Sequence, residues 1–271
     1  MERIWLWSEF ETWADPFREL LDDVLTPSVF RAFDEHPPEY VVGDNLGWLD
    51  EIIAAQTGQL ISSKHLLASR IEASYSAMRA FHGARPIDPT DYRAEGLKVL
   101  DGPSKVAYLT RLFAAAEHSV SDEVLQRAVD TVGTDYRAGR IYFEANSRFL
   151  QRHCGHYMLY GSEYLNAIAA HISERHRAVL RDVGVPTVFV CNVPLDLLHH
   201  GQIADYAGMA LQALFVARQD DNFEHAHEHE ASGLMIQQDL PPDCIVDHFH
   251  PTRLFDPYRQ LWDRCRLAQR S

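Results

Sequence analysis

Phe17, Leu20, Leu21, Val24 and Leu25 return at the spacing of one helical face, and that periodicity predicts an amphipathic helix. Its start is expected at Asp15-Pro16, an N-cap type of residue followed by a proline suited to the first helical position. Thr26-Pro27 should end this helix and open a second, shorter one. Trp48, Leu49, Ile52 and Ile53 mark a further amphipathic stretch, broken at Gln56-Thr57-Gly58. Residues 1–74 therefore read as a helical N-terminal extension of one domain, whose body is residues 75–271.

Residues 75–82 alternate Tyr75, Ala77, Arg79 and Phe81 with Ser76, Met78, Ala80 and His82, the period of a short strand that ends at Gly83 with a turn at Pro86. Val106, Leu109, Leu112 and Phe113 suit a helix, and Ser121 caps another that ends near Gly133. Residues 139–143 predict a strand, and Leu165, Ile168, Ala169 and Ile172 a helix after Gly161. Residues 186–193, reading PTVFVCNV, form the best buried strand of the chain, closed by Pro194. Ile203, Tyr206, Ala207, Ala210, Leu211, Leu214 and Phe215 predict a strongly amphipathic helix. Leu234-Met235-Ile236 is a late strand, Pro241-Pro242 a turn, and Tyr258, Leu261, Trp262 and Cys265 a terminal helix. Short strands with helices set between them, and no internal repeat, give an α+β class.

Composition narrows the picture. With 271 residues, 46% apolar and 24% charged, the chain can bury a large core and is far from the polar make-up of disorder. No apolar run approaches the roughly 20 residues of a membrane span, and Met1-Glu2-Arg3-Ile4-Trp5 lacks the basic-then-apolar layout of a signal peptide. A cytoplasmic protein with no membrane partner is expected. Cys154, Cys191, Cys244 and Cys265 lie far apart with no CxxC pair, which suggests reduced thiols rather than a zinc ribbon or disulfide framework. A net charge of −14 disfavours a free-standing nucleic-acid binder, whose affinity comes mostly from neutralising phosphates.

Chemistry concentrates in Phe81-His82-Gly83-Ala84-Arg85-Pro86, followed by Asp91-Tyr92-Arg93-Ala94-Glu95-Gly96-Leu97. A histidine at a strand end offers a donor and an acceptor, and the adjacent glycine lets a ligand approach the backbone. With Gly139-Arg140-Ile141-Tyr142-Phe143 later in the chain, and a helix-like run from Ser147, this order of motifs resembles the ADP-ribosyltransferases of the PARP and diphtheria-toxin branch, over roughly residues 78–250. The resemblance implies a split β-sandwich with interspersed helices and NAD as substrate. The acceptor is open among an amino-acid side chain, a nucleic-acid base and water, with a macromolecule expected and protein favoured over nucleic acid by the negative charge; a role as a bacterial toxin, effector or defence protein is in keeping with the resemblance. It assigns His82 to the ribose, the Gly83 backbone to the nicotinamide amide and Tyr142 to the nicotinamide ring, with Arg85 and Ser147 as further cofactor contacts.

A flat cationic ring is held well by an aromatic face, and breaking the nicotinamide–ribose bond builds positive charge that a carboxylate stabilises. In the family a glutamate usually supplies that carboxylate from a late strand, yet residues 233–238 contain none. Glu163, at a helix start in the aromatic run from His156 to Tyr164, and Glu230, just before the late strand, are the two substitutes, and Glu163 is preferred. His82 is also readable as a core histidine, Arg85 as a surface or ion-pairing residue, Tyr142 as a strand residue packed on a helix, and Glu163 as a helix-dipole partner. A catalytically silent binding module is the alternative function. The histidines of 225–229, with His248 and His250 at the same spacing later, could serve a metal, although no HExxH pattern occurs and a solvated loop is the default.

Overall fold

In a computed structural model, which describes residues 3–135, 137–220, 223 and 232–265, the chain divides into two units. One comprises residues 1–79 and 193–230, the other residues 80–192 and 231–271. The expected extension of 1–74 thus takes in a second, distant stretch of chain.

The first unit opens with β1 (Ile4–Trp5), α1 (Phe10–Leu20), α2 (Pro27–Glu35), α3 (Gly47–Thr57) and α4 (Ser63–Ser74). The chain leaves it through β2 (Ala77–Ala84). The second unit continues with α5 (Pro89–Glu95), α6 (Gly102–Ala115), α7 (Asp122–Val132), β3 (Ile141–Glu144), α8 (Ser147–His153), α9 (His156–Tyr160), α10 (Glu163–Ile172), α11 (Glu174–Val179) and β4 (Thr187–Pro194). After α12 (His200–Val216), which belongs to the first unit, β5 (Gly233–Ile236), β6 (Ile245–Phe249), β7 (Arg253–Asp256) and β8 (Leu261–Arg264) complete the second.

In the first unit, α1 begins at Phe10, not at Asp15, and carries Pro16 in its interior. An interior proline costs about 3 kcal/mol, while full burial of a large side chain contributes roughly 1.5–3 kcal/mol each. Trp13 and Phe17 are both buried, with Trp13 stacked on Trp7 at 5.5 Å and 5°, so packing outweighs the local signal. Asp15, instead of capping, pairs with Arg18 at 2.6 Å on the surface. Thr26 does cap α2, accepting from the Val29 N–H at 3.4 Å, and Gly58 closes α3 with a left-handed φ of 77°. Helix α12 packs along α4, and its Gly208 approaches Gly43 so closely that a methyl there would meet the Gly43 carbonyl.

In the second unit the strands run β5-β3-β2-β4-β6. β2 and β3 are antiparallel with Phe81 opposite Glu144, and β3 and β5 are antiparallel with Tyr142 opposite Met235. β4 and β6 pair antiparallel through Val188 and Phe249. Helices α6, α7, α9 and α10 contribute Leu109, Phe113, Leu125, Met158, Leu165 and Ile168 to one apolar core. The mixture of helices with antiparallel pairings is of the α+β kind. Among the described residues, no helix is long and apolar enough to cross a membrane.

The expected terminal helix is a hairpin instead, β7 against β8 with Asp256 opposite Leu261. Tyr258, Leu261 and Trp262 match a helical spacing, yet all three are exposed, so their periodicity marks no buried face. The buried Asp256 carboxylate accepts from the Tyr258 and Arg259 N–H groups at 3.0 and 3.3 Å, which captures the backbone in a turn before a helix can form.

Candidate active site

A cavity of about 630 Å³ lies within the second unit, walled by β2, β3, α5, α6, α9 and the start of α10. That volume is in the range of small-molecule and cofactor sites. His82, Gly83, Arg85, Tyr142 and Glu163 all line it.

β2 brings His82 and Gly83, and the imidazole ties itself to the neighbouring strand: Nδ1–H donates to the Tyr142 carbonyl at 2.9 Å. This bond fixes the tautomer, and in the neutral ring Nε2 is then an acceptor. Burial, with the Lys105 charge adding to it and the Tyr142 carbonyl opposing it, holds the His82 pKa below its ordinary value. The neutral acceptor form is therefore the one present near pH 7. Gly83 is buried against Tyr157 and Met158, where a Cβ would press on the Met158 side chain at 3.2 Å.

Tyr142 sits between Ile141 and Phe143, 3% and 4% exposed, yet itself remains 45% exposed. The strand's alternation thus turns its ring away from the core, and the reading of Tyr142 as a residue packed on a helix does not hold. Glu163 begins α10 after Gly161, which takes a φ of 94°, and Ser162, whose Oγ accepts from the Leu165 N–H at 3.2 Å. The cap and the positive end of the helix favour an anion there. Arg137 donates to Glu163 Oε1 at 2.7 Å, which anchors one oxygen of the carboxylate.

Arg85 is half-buried and, among the described residues, has no ion pair. It donates to the carbonyls of Val183 at 2.8 Å and Met158 at 3.1 Å, and to that of Arg181. These bonds hold its guanidinium at the cavity wall. Ser147 is not brought to the cavity; it opens α8 behind the cap Asn146, whose Oδ1 accepts from the Arg148 and Phe149 N–H groups. Glu230 and the histidines of 225–229 lie outside the described residues. His250 donates through one ring nitrogen to the Pro186 carbonyl at 3.1 Å. Among the described residues, no group of three or more His, Cys, Asp or Glu side chains is placed to hold a metal.

Sequence reasoning missed Lys105, Arg137, Glu144 and Tyr157, all in the cavity wall. Glu144 directly follows the Tyr-Phe pair, and its position was the one signal available. Its buried carboxylate accepts from both the N–H and the hydroxyl of Ser232 at 2.6 Å, tying the start of β5 to β3, and burial raises its pKa despite those bonds. Burial likewise pushes the Cys154 thiol up to about 11, so it is no thiolate nucleophile near neutral pH. No protein-family model, curated protein or solved structure matches the chain.

Proposed function

We propose that the chain is an NAD-dependent ADP-ribosyltransferase, built on a split β-sandwich of the kind found in the PARP and diphtheria-toxin branch. The observation that carries this reading is the convergence of His82, Gly83, Tyr142 and Glu163, from three separate stretches of chain, on one cavity. Neutral His82 accepts a ribose hydroxyl at Nε2, the Gly83 backbone meets the nicotinamide amide, and the Tyr142 ring covers the nicotinamide face. The C1′–N bond then breaks, its electron pair leaving with nicotinamide, while Glu163 stabilises the positive charge left on the ribose. An acceptor nucleophile supplies the pair for the new C1′ bond and gives up its proton to solvent. A net charge of −14 favours a protein acceptor over a nucleic acid, and a role as a bacterial toxin, effector or defence protein suits such chemistry.

The experiment is incubation with NAD labelled in the nicotinamide ring. Release of nicotinamide is expected from the natural chain and should fall by roughly 100-fold or more in Glu163→Gln, the scale of losing a charge-stabilising group. Release undiminished in Glu163→Gln would remove that residue from the chemistry. A second reading, a silent module that binds NAD, is favoured by the lack of a glutamate on β5; NAD binding without any nicotinamide release would select it.

A further inference from the structure

Lys105 lies on α6 in the cavity wall, with Tyr108 one turn further along the same face. Among the described residues its ammonium has neither an ion-pair nor a hydrogen-bond partner. Asp101, the acid whose charge it feels, sits one turn earlier and holds the Ser104 hydroxyl at 2.5 Å. Burial pulls the Lys105 pKa down, and its charge reaches His82. A half-buried cation that protein groups leave uncompensated is costly, and an incoming anion offsets that cost. Arg85 and Arg137 are already engaged by carbonyls and by Glu163. The rim at α5, by contrast, carries Asp88, Asp91 and Glu95, which repel an anion.

We propose that Lys105 is the phosphate anchor of the cavity, taking the diphosphate of a nucleotide ligand beside His82 and away from the acidic α5 rim. The proposal rests on the NAD reading for the identity of its natural ligand. It orients that ligand, with the ribose at His82 and the phosphates running along α6.

Calorimetric titration of the full chain tests it with ADP-ribose, ADP and nicotinamide as probes. Lys105→Met is expected to weaken ADP-ribose and ADP roughly tenfold or more, the loss of one charge-assisted bond, while nicotinamide affinity stays unchanged. Lys105→Arg should recover most of the loss, and added salt should weaken the natural chain more than Lys105→Met. Unchanged ADP-ribose affinity in Lys105→Met overturns the proposal, as does a parallel loss for nicotinamide, or the natural chain binding neither phosphate ligand. ADP binding that depends on Lys105, with no nicotinamide released from NAD, sustains the anchor and sinks the transfer reaction alone.

Discussion

His82 carries two duties in one ring. Its Nδ1–H completes the contact between β2 and β3, and under the proposed NAD reading its Nε2 accepts from a ribose hydroxyl. Because burial holds its pKa below the ordinary value of about 6.5, the sign of the pH effect is set. If NAD is bound as proposed, the neutral form binds it, so NAD affinity should be flat from pH 8 to pH 7 and fall, by up to roughly tenfold per pH unit, as the pH drops through the depressed pKa. Titration calorimetry across pH checks this; an affinity that rises on acidification would contradict it. The same sign governs folding: this contribution to stability is present above the unfolded imidazole value and is lost as the pH falls. His82, Gly83, Tyr142 and Glu163 were legible because each sits in a short motif at a strand end or helix start. Lys105 and Arg137 were not, because nothing in their flanking residues separates a lysine or arginine facing a cavity from one facing solvent.

At the level of elements, most helices and strands were legible in their periodicity and caps, including α2 behind Thr26, α7 behind Ser121 and the buried β4. The failures share a cause. Pro16 inside α1 and the hairpin of β7 and β8 depend on side-chain contacts that local propensity does not register, the Trp7–Trp13 stack and the Tyr160 hydroxyl donating to buried Asp256 at 2.6 Å, 96 residues away. At the Gly96-Leu97 step the backbone itself requires a glycine. Gly96 ends α5 with φ 81° and ψ −175°, a region essentially reserved to glycine. It thereby lets Leu97 exchange backbone bonds with Leu240 at 3.0 and 2.9 Å. A Cβ at Gly96 would strike the Leu240 carbonyl. Gly96→Ala should therefore destabilise the fold by about 2–4 kcal/mol, combining the dihedral strain with a backbone shift. Chemical denaturation measures it, and a loss under 0.5 kcal/mol, the ordinary range of a neutral surface change, would refute the collision.

For the whole molecule, the partition of the chain matters more than its content of helix and strand. An N-terminal extension of 1–74 was legible as helical, but the recruitment of α12 to it was not, since amphipathicity marks a buried face without naming its partner. Ile203, Ala207, Leu211 and Leu214 are buried on α12, which packs along α4. A fragment beginning at Tyr75 should therefore expose that face, binding ANS and losing near-ultraviolet circular dichroism. A sharp cooperative melt of the fragment would show that residues 75–271 stand alone. The split first unit also imposes a schedule on biosynthesis. Helices α1–α4 emerge from the ribosome early, yet the segment that completes their core is translated only after all of 80–192, a delay on the order of 10 s. Nascent chains must wait through that interval with the α4 surface that α12 later covers still open, which makes this the stage at which chaperones have most to protect.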